Sequence, residues 1–132
     1  MDDATRQKVR DRARGCCEYC GLPQDFSGLL PFHVEHVRAK QHRGSDALEN
    51  LCYACSRCNN FKGPNLSTHD PLTNQLVRLF DPRHDQWSDH FRMEGPIILR
   101  LTPEGRATVE LLQMNESRRV ILRAALRDEG KL

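Results

Sequence analysis

Two cysteine pairs of equal spacing decide the fold of this 132-residue chain: Cys17-Glu18-Tyr19-Cys20 and Cys55-Ser56-Arg57-Cys58. Four thiolates at this spacing can close a tetrahedral zinc site, because each pair supplies two ligands from one tight loop. A zinc ion held in this way would fasten together the two segments that carry the pairs. We therefore expect these four cysteines to bind one structural zinc ion.

Six cysteines could instead form three disulfide bonds, and the start of the chain bears on that choice. Residues 1–6 contain no apolar stretch like that of a secretory signal, so we place the protein in the cytoplasm, where thiols stay reduced. Zinc then leaves Cys16 and Cys52 over. We expect both to be small buried apolar residues, although Cys16 could compete with Cys17, and Cys52 with Cys55, for the metal.

Composition and charge are those of a small globular protein. Hydrophobic residues make up 38% of the chain and charged residues 29%, so the apolar core is small and a structural metal would add folding energy. No apolar run approaches the length that spans a membrane. The formal net charge of +2 falls to about zero with four thiolates and one zinc ion, so bulk charge supports nucleic-acid binding only weakly.

Arginines recur every four residues on two predicted helices, and such stripes could contact phosphates. The alternative is that each stripe is a solvated helix face without a binding role. The stripes are Arg6, Arg10 and Arg14 near the start of the chain, and Arg119, Arg123 and Arg127 near its other end.

Helix and strand signals are clear in the first half of the chain. We predict a helix over residues 3–14, ended by Gly15, and a strand over residues 29–36. A short helix is predicted over Ser56–Lys62, because the Gly63-Pro64 that follows is a strong stop signal.

The second half predicts a strand over residues 75–80 and a hairpin of residues 90–93 and 97–101. Thr102 followed by Pro103 indicates the start of a helix that runs to about residue 114. We expect Asn115 to cap a last helix that reaches Glu129. The buried stripe of that helix is expected to be Val120, Ile121, Ala124, Ala125 and Leu126.

Residues that can bind a hard metal and move a proton lie between and after the cysteine pairs: Glu35, His36, Asn50 and Asn59. In order, the motifs Cys-x-x-Cys, Glu-His, Asn and Cys-x-x-Cys-Asn-x-x-Lys resemble the HNH endonucleases, also termed ββα-metal or His-Me finger nucleases. The resemblance covers residues 15–64, and the whole chain also resembles small standalone bacterial members in sequence.

The resemblance implies an α+β fold with a small zinc-stapled ββα-metal core and an N-terminal helix. We expect a single domain over residues 1–132, in which residues 15–64 form the nuclease core. Residues 65–132 would form an accessory extension, with a β-hairpin and two helices, packed on that core.

Carried over by position, the family motif falls on His36, Asn50 and Asn59, so the chain is an H-N-N variant. The resemblance implies that His36 is the general base and that Asn50 braces its loop and orients it. Glu35, where such nucleases often place Asp, would hold one Mg²⁺ or Mn²⁺ ion together with Asn59. Lys62 would contact a phosphate beside the scissile one, although its position also suits a charge at the end of the short helix. A regular strand would direct Glu35 and His36 to opposite faces, so both serve one site only if the backbone bends or ends there.

The implied activity is metal-dependent hydrolysis of phosphodiester bonds in DNA, by nicking or cutting, with RNA as an alternative substrate and no membrane partner. A non-catalytic zinc module that binds nucleic acid or protein is a competing hypothesis. Such a module has no need of a base beside a hard-metal site, so the complete residue set disfavours it. An inactive relative is a third interpretation, and both a monomer and a homodimer fit the sequence.

Overall fold

The computed structural model describes all 132 residues and divides them between two units. Unit 1 consists of Met1–Leu66 and Asp81–His84, and unit 2 consists of Ser67–Phe80 and Asp85–Leu132. The first boundary falls close to residue 64, where we predicted the nuclease core to end. The prediction that residues 1–132 form a single domain stays a prediction.

Unit 1 contains the predicted succession of helix, two strands and helix. Its elements are α1 (Asp3–Arg12), β1 (His33–His36), β2 (Leu51–Ala54) and α2 (Ser56–Lys62). The two strands pair antiparallel, with His33 opposite Ala54 and His36 opposite Leu51. Since α2 directly follows β2, these three elements form the predicted ββα arrangement.

Local signals explain where the elements of unit 1 begin and end. The Asp2 side chain accepts a hydrogen bond from the Thr5 amide at 2.8 Å and so caps α1. That helix ends at Arg12, earlier than predicted, and Arg14 already has a left-handed φ of 55°. β1 is shorter than the predicted strand, because residues 29–32 form no ladder with β2. The prediction for α2, Ser56–Lys62, is confirmed at both ends.

The apolar core of unit 1 is small. Its main cluster contains the buried residues Val9, Leu51 and Tyr53. Three partly buried side chains pack against this cluster: Ala13, Phe32 and Val34. Tyr19, Val37 and Ala54 are also buried in this unit. So little apolar burial leaves much of the stability of unit 1 to other contacts.

Unit 2 contains two hairpins and three helices. Its elements are β3 (Ser67–His69), β4 (Leu76–Arg78), α3 (Trp87–His90), β5 (Phe91–Glu94), β6 (Ile97–Arg100), α4 (Pro103–Leu112) and α5 (Ser117–Asp128). The hairpin of β5 and β6 was predicted, as was the start of α4, where the Thr102 hydroxyl accepts from the Gly105 amide at 3.0 Å. The chain is therefore of mixed α and β structure, as predicted. No helix in either unit has the length and apolar character needed to cross a membrane.

Asn115 does not cap α5, and this prediction was wrong. Glu116 is the N-cap, and its carboxylate accepts from the Arg118 amide at 3.2 Å. Asn115 instead accepts from the Ile98 amide at 3.0 Å and donates to the Ile98 carbonyl at 2.8 Å. A carboxamide carries an acceptor and two donors in one plane, so it pairs with β6 much as a neighbouring strand would.

The buried face of α5 also differs from the predicted one. Ile121 is 67% exposed, whereas Arg119 and Arg123 are buried. Arg119 Nη1 donates to the last carbonyl of α4 at 2.6 Å, and Arg123 Nη2 donates to the Met114 carbonyl at 2.7 Å. Carbonyls at a helix end have no partner within the helix, and these guanidinium groups satisfy them. Of the predicted stripe, Leu126 alone is fully buried.

Candidate functional site

Four sulfur atoms converge in unit 1. The ligand atoms of Cys17, Cys20, Cys55 and Cys58 all lie within 4.8 Å of one another, and all four residues are buried. The Sγ atoms of Cys20 and Cys55 are 3.8 Å apart. A zinc–sulfur bond of about 2.3 Å in a tetrahedron requires sulfurs about 3.8 Å apart. Both the donor chemistry and the spacing of the cluster therefore fit zinc.

The two cysteine pairs adopt the same local turn. The Cys20 amide donates to Cys17 Sγ at 3.5 Å, and the Cys58 amide donates to Cys55 Sγ at the same distance. Cys55 is in addition the N-cap of α2, so one side chain both begins the helix and faces the cluster. The two-residue spacing produces this geometry, because it returns the second amide onto the first sulfur.

The thiols of the cluster differ in acidity when no cation is bound. Burial raises the pKa of Cys17 and of Cys58 well above the usual thiol value. Hydrogen bonding from Cys17 lowers the pKa of Cys55. Cys16 lies outside the cluster and is only half-buried, which departs from our expectation of a buried residue.

Cys52 is buried, as expected, but it is not an inert apolar residue. Its thiol donates to Glu35 Oε2 at 3.2 Å and also contacts the Tyr19 hydroxyl at 3.7 Å. Burial, with Glu35 nearby, raises the pKa of Cys52 well above the usual value. The Cys52 thiol therefore serves as a hydrogen-bond donor to the buried carboxylate of Glu35.

His36 stands at the end of β1 and has a carboxylate partner that sequence reasoning missed. Its Nε2 is 2.7 Å from Asp46 Oδ1, and its side chain is 20% exposed. Asp46 also lies 3.3 Å from Lys40 Nζ. The hydrogen bond from His36, together with that from Lys40, lowers the pKa of Asp46. The only sequence signal for Asp46 was its place in the polar loop between His36 and Asn50.

Asn50 joins the two ends of the loop over residues 38–50. Its Oδ1 accepts from the Arg38 amide at 2.9 Å, while its Nδ2 donates to the carbonyls of Arg38 at 3.0 Å and Ser45 at 2.8 Å. At Gly44, an added Cβ would lie 1.6 Å from the Arg38 carbonyl oxygen, so the loop closes only around a glycine. Asn50 thus braces this loop, although it makes no hydrogen bond to His36 itself.

Glu35, His36 and Asn59 line one cleft of about 440 Å³, formed by residues of β1, α2 and the segments that follow them. Asn59 is half-buried, and its carboxamide makes no side-chain hydrogen bond within the protein. Carboxylate and carboxamide oxygens are ligands that suit Mg²⁺ and Mn²⁺. The cleft therefore gathers a candidate base and two candidate ligands of a hard cation, while Asn50 lies outside it.

Glu35 is the inward member of the Glu-His pair. β1 remains a paired strand at this point, with Glu35 opposite Cys52 and buried, while His36 is only half-buried. Glu35 Oε1 lies 3.1 Å from Lys62 Nζ. Burial raises the pKa of Glu35, and the Lys62 ammonium acts in the opposite direction. A cation bound by Glu35 would therefore share its carboxylate with an ammonium that is already there.

Lys62 is 1% exposed, the opposite of what a phosphate contact requires. Its ammonium donates to the Val37 carbonyl at 2.9 Å and pairs with Glu35. This placement does not favour the predicted contact with a phosphate. The position suits a different role, in which Lys62 ties α2 to the segment that carries His36 and offsets the buried charge of Glu35.

Comparison with known families shows which family this arrangement of residues resembles. A family model described as HNH endonuclease matches residues 17–65. Residues 17–65 are therefore similar to the HNH endonuclease domain. The match begins at the first ligand of the cysteine cluster, and it includes the whole cluster, the 38–50 loop and α2. Within the matched residues, the Glu-His pair of β1 and the Asn59 carboxamide of α2 meet at one cleft.

Two curated bacterial proteins are similar to this chain. One is the "SPbeta prophage-derived putative HNH endonuclease YoqL" of Bacillus subtilis (strain 168), 33% identical over 70 residues, which are 47% of this chain and 29% of the relative. The other is the Septu protein PtuB of Bacillus thuringiensis, 28% identical over 107 residues, which are 80% of this chain and 38% of the relative. The chain thus spans less than two fifths of either relative. No solved structure matches it significantly.

Proposed function

We propose that this chain is a metal-dependent endonuclease that hydrolyses phosphodiester bonds in DNA, by nicking or cutting. The observation that carries the proposal is the shared cleft of Glu35, His36 and Asn59 inside a domain matched by the HNH family model. Hydrolysis of a phosphodiester needs an activated water, relief of charge on the phosphate and a stabilised leaving oxygen. A base and hard oxygen ligands at one cleft can provide these together.

His36 is the general base of this proposal. A neutral imidazole accepts a proton from the attacking water, and histidine suits the task because its ordinary pKa lies near neutrality. The imidazole is anchored at Nε2 by Asp46, which restricts the directions in which the ring can turn. The brace formed by Asn50 keeps the loop that carries Asp46 closed, and this is the role we propose for the second motif residue.

The protein would bind two kinds of metal ion, one through soft sulfur ligands and one through hard oxygen ligands. The four cysteines would hold a structural zinc ion, which keeps the segment before β1 attached to the start of α2. Glu35 and Asn59 would hold one Mg²⁺ or Mn²⁺ ion. When bound, that ion would offset negative charge on the pentacoordinate phosphorane and on the leaving oxygen. The chain's own contribution is to place both ligands beside His36.

DNA is the proposed substrate, with RNA as the alternative, and the protein would act as a monomer or a homodimer. Both relatives are bacterial, and the name of one includes the words "putative HNH endonuclease", which supports the nuclease activity. Six free thiols support a reducing compartment, so we propose that the protein is cytoplasmic. We propose no membrane partner.

Cleavage of supercoiled plasmid with Mg²⁺ or Mn²⁺ tests the proposal. We expect His36→Ala to lower the rate by about 10²–10⁴-fold, because it removes the base, while one zinc ion per chain remains. His42→Ala is the matched control, since His42 is an exposed histidine of the loop over residues 38–50 and does not line the cleft. Equal rates for His36→Ala and wild type would overturn the assignment of His36. DNA binding without cleavage by any of the proteins would favour the non-catalytic zinc module.

A further inference from the structure

His36 makes one side-chain hydrogen bond in the protein, and its partner is a carboxylate. The Nε2 atom lies 2.7 Å from Asp46 Oδ1, a distance typical of a charge-assisted hydrogen bond. Asp46 is not a member of the H-N-N motif. Its side chain is 50% exposed, and an exposed ion pair contributes little to stability. The contact therefore calls for an explanation other than stability.

Several contacts within the loop that carries Asp46 hold this residue close to His36. Asn50 ties Ser45, the neighbour of Asp46, to Arg38, which follows β1 closely. The close approach at Gly44 leaves no room for a side chain there. Lys40 lies 3.3 Å from the same carboxylate oxygen that faces His36. These contacts hold a loop of ten or more residues so that one carboxylate returns to the histidine.

We propose that Asp46 is a positioning residue that fixes the tautomer and the ring orientation of His36. This inference rests on the proposed role of His36 as base. An ionised carboxylate can only accept a hydrogen bond, so the hydrogen must lie on Nε2 of His36. A neutral imidazole carries one N–H, and its other nitrogen is then the acceptor. Asp46 therefore leaves Nδ1 unprotonated.

The proton balance follows from that tautomer. As an O–H bond of the attacking water breaks, its proton moves to Nδ1 while the oxygen forms a bond to phosphorus. The bond from phosphorus to the leaving oxygen breaks, and that oxygen takes a proton from solvent. His36 is then an imidazolium with both nitrogens protonated, and the Asp46 carboxylate lies beside its new positive charge. Asp46 itself gains no proton and does not touch the substrate.

The first experiment reads the tautomer directly in the zinc-loaded wild-type protein. Nitrogen-15 NMR at about pH 8, above the ordinary pKa of histidine, distinguishes a protonated Nε2 from a protonated Nδ1. The signals of His36 are assigned by their loss in His36→Ala. We expect hydrogen on Nε2, with an N–H proton slowed in its exchange by the bond to Asp46, and loss of that slow proton in Asp46→Ala. Hydrogen on Nδ1 in the wild type would overturn the proposal without any activity measurement.

The second experiment measures plasmid cleavage by Asp46→Ala and by Glu49→Ala. Glu49 is an exposed carboxylate of the same loop and lies outside the cleft, so its loss is the matched control. We expect Asp46→Ala to lower kcat by about 10- to 100-fold with KM little changed, since only the base is affected. Zinc content shows that both variants are folded.

The outcomes separate the two proposals. If His36→Ala is inactive while Asp46→Ala cleaves as fast as Glu49→Ala, the positioning role of Asp46 is wrong and His36 remains the base. If His36→Ala cleaves as fast as wild type, the proposed function of His36 fails, whatever the NMR shows. In the background of His36→Ala, the Asp46→Ala change should have no further effect on kcat, because Asp46 acts through the imidazole.

Discussion

Unit 1 and unit 2 are similar in size but are stabilised in different ways. Unit 1 buries few large apolar side chains around Val9, Leu51 and Tyr53, and it contains all six cysteines. Unit 2 contains no cysteine and packs aromatic and aliphatic side chains, among them Phe80 and Phe91, whose ring centroids are 5.3 Å apart. The half that carries the cleft must leave loops and polar groups near solvent. A metal staple holds such loops in place without a large core.

Loss of zinc should have the largest effect, and it should fall on unit 1. We expect Cys58→Ser to lower the free energy of unfolding of unit 1 by about 5 kcal/mol, comparable to the whole stability of a small domain. Zinc content by mass spectrometry and hydrogen exchange of peptides from each unit measure the effect. Trp87, the single tryptophan, lies in unit 2 and reports on that unit separately by its fluorescence.

Cys16→Ser is the control for this change, because Cys16 is half-buried and lies outside the cluster. It should retain one zinc ion per chain and change stability by less than about 1 kcal/mol. A Cys58→Ser protein that unfolds like the wild type would show that zinc does not hold unit 1 together.

A buried arginine should have the next largest effect, and it should fall on unit 2. Arg123 donates to the carbonyls of Pro96 and Met114, both at 2.7 Å, so Arg123→Met would leave buried oxygens without a donor. We expect this change to lower the free energy of unfolding by about 2–3 kcal/mol with zinc content unchanged. Chemical denaturation followed by Trp87 fluorescence measures it.

Ile121→Ser supplies the contrast on the same helix. Ile121 is 67% exposed, so replacing it should change stability by less than about 0.5 kcal/mol. If Ile121→Ser were the more damaging of the two changes, the buried face described for α5 would be wrong.

The smallest effect concerns the acid dependence of unit 2. Asp70 is buried and accepts two hydrogen bonds from Arg106, at 2.9 and 2.8 Å, and Arg106 holds the pKa of Asp70 well below its usual value. Because the pKa is lower in the folded state than in the unfolded chain, the stabilisation is complete above about pH 4 and is lost as the pH falls further. In Asp70→Asn, proton uptake on unfolding below about pH 4 should decrease by about one proton.

Trp87 fluorescence is the required measurement for this prediction, since acid would also protonate the thiolates of a zinc site in unit 1 and release the ion. Asp128→Asn, a change at an exposed aspartate of α5, is the control and should follow the wild type. An unaltered acid dependence in Asp70→Asn would assign the pH sensitivity of unit 2 to other groups.

The sequence predicted the parts of the candidate site that follow a motif of fixed spacing, and it did not predict contacts that depend on how the loops fold. The cysteine cluster and α2 lie close together in the chain and have specific spacing, so they were predicted correctly. Asp46 was missed because a lone aspartate in a polar loop carries no pattern, and only the closed loop brings it to His36. The expectation that Lys62 contacts a phosphate came from the family resemblance, and the sequence did not show that Glu35 would provide this lysine with a buried partner.

The fold was least predictable where polar side chains replace apolar ones inside unit 2. Arg119, Arg123 and Arg127 have the spacing of a solvated or phosphate-binding stripe, yet the first two are buried against backbone carbonyls. Periodicity assigns apolar residues to the core and cannot show that a helix end nearby requires donors. Asn115 was misassigned for the same reason, because its partner is a strand distant in sequence.

The short segment Asp81–His84 limits how far unit 1 can be treated as an independent fragment. The chain leaves unit 1 after Leu66 and returns for these residues, where Arg83 pairs with Glu18, whose other oxygen accepts from the Tyr53 amide at 2.8 Å. A fragment cut at residue 66 would retain every cysteine and every residue of the cleft but would leave Glu18 without its guanidinium. Transferring residues 1–66 into another protein would therefore require a replacement for the Arg83 guanidinium, which lies outside this part of the chain.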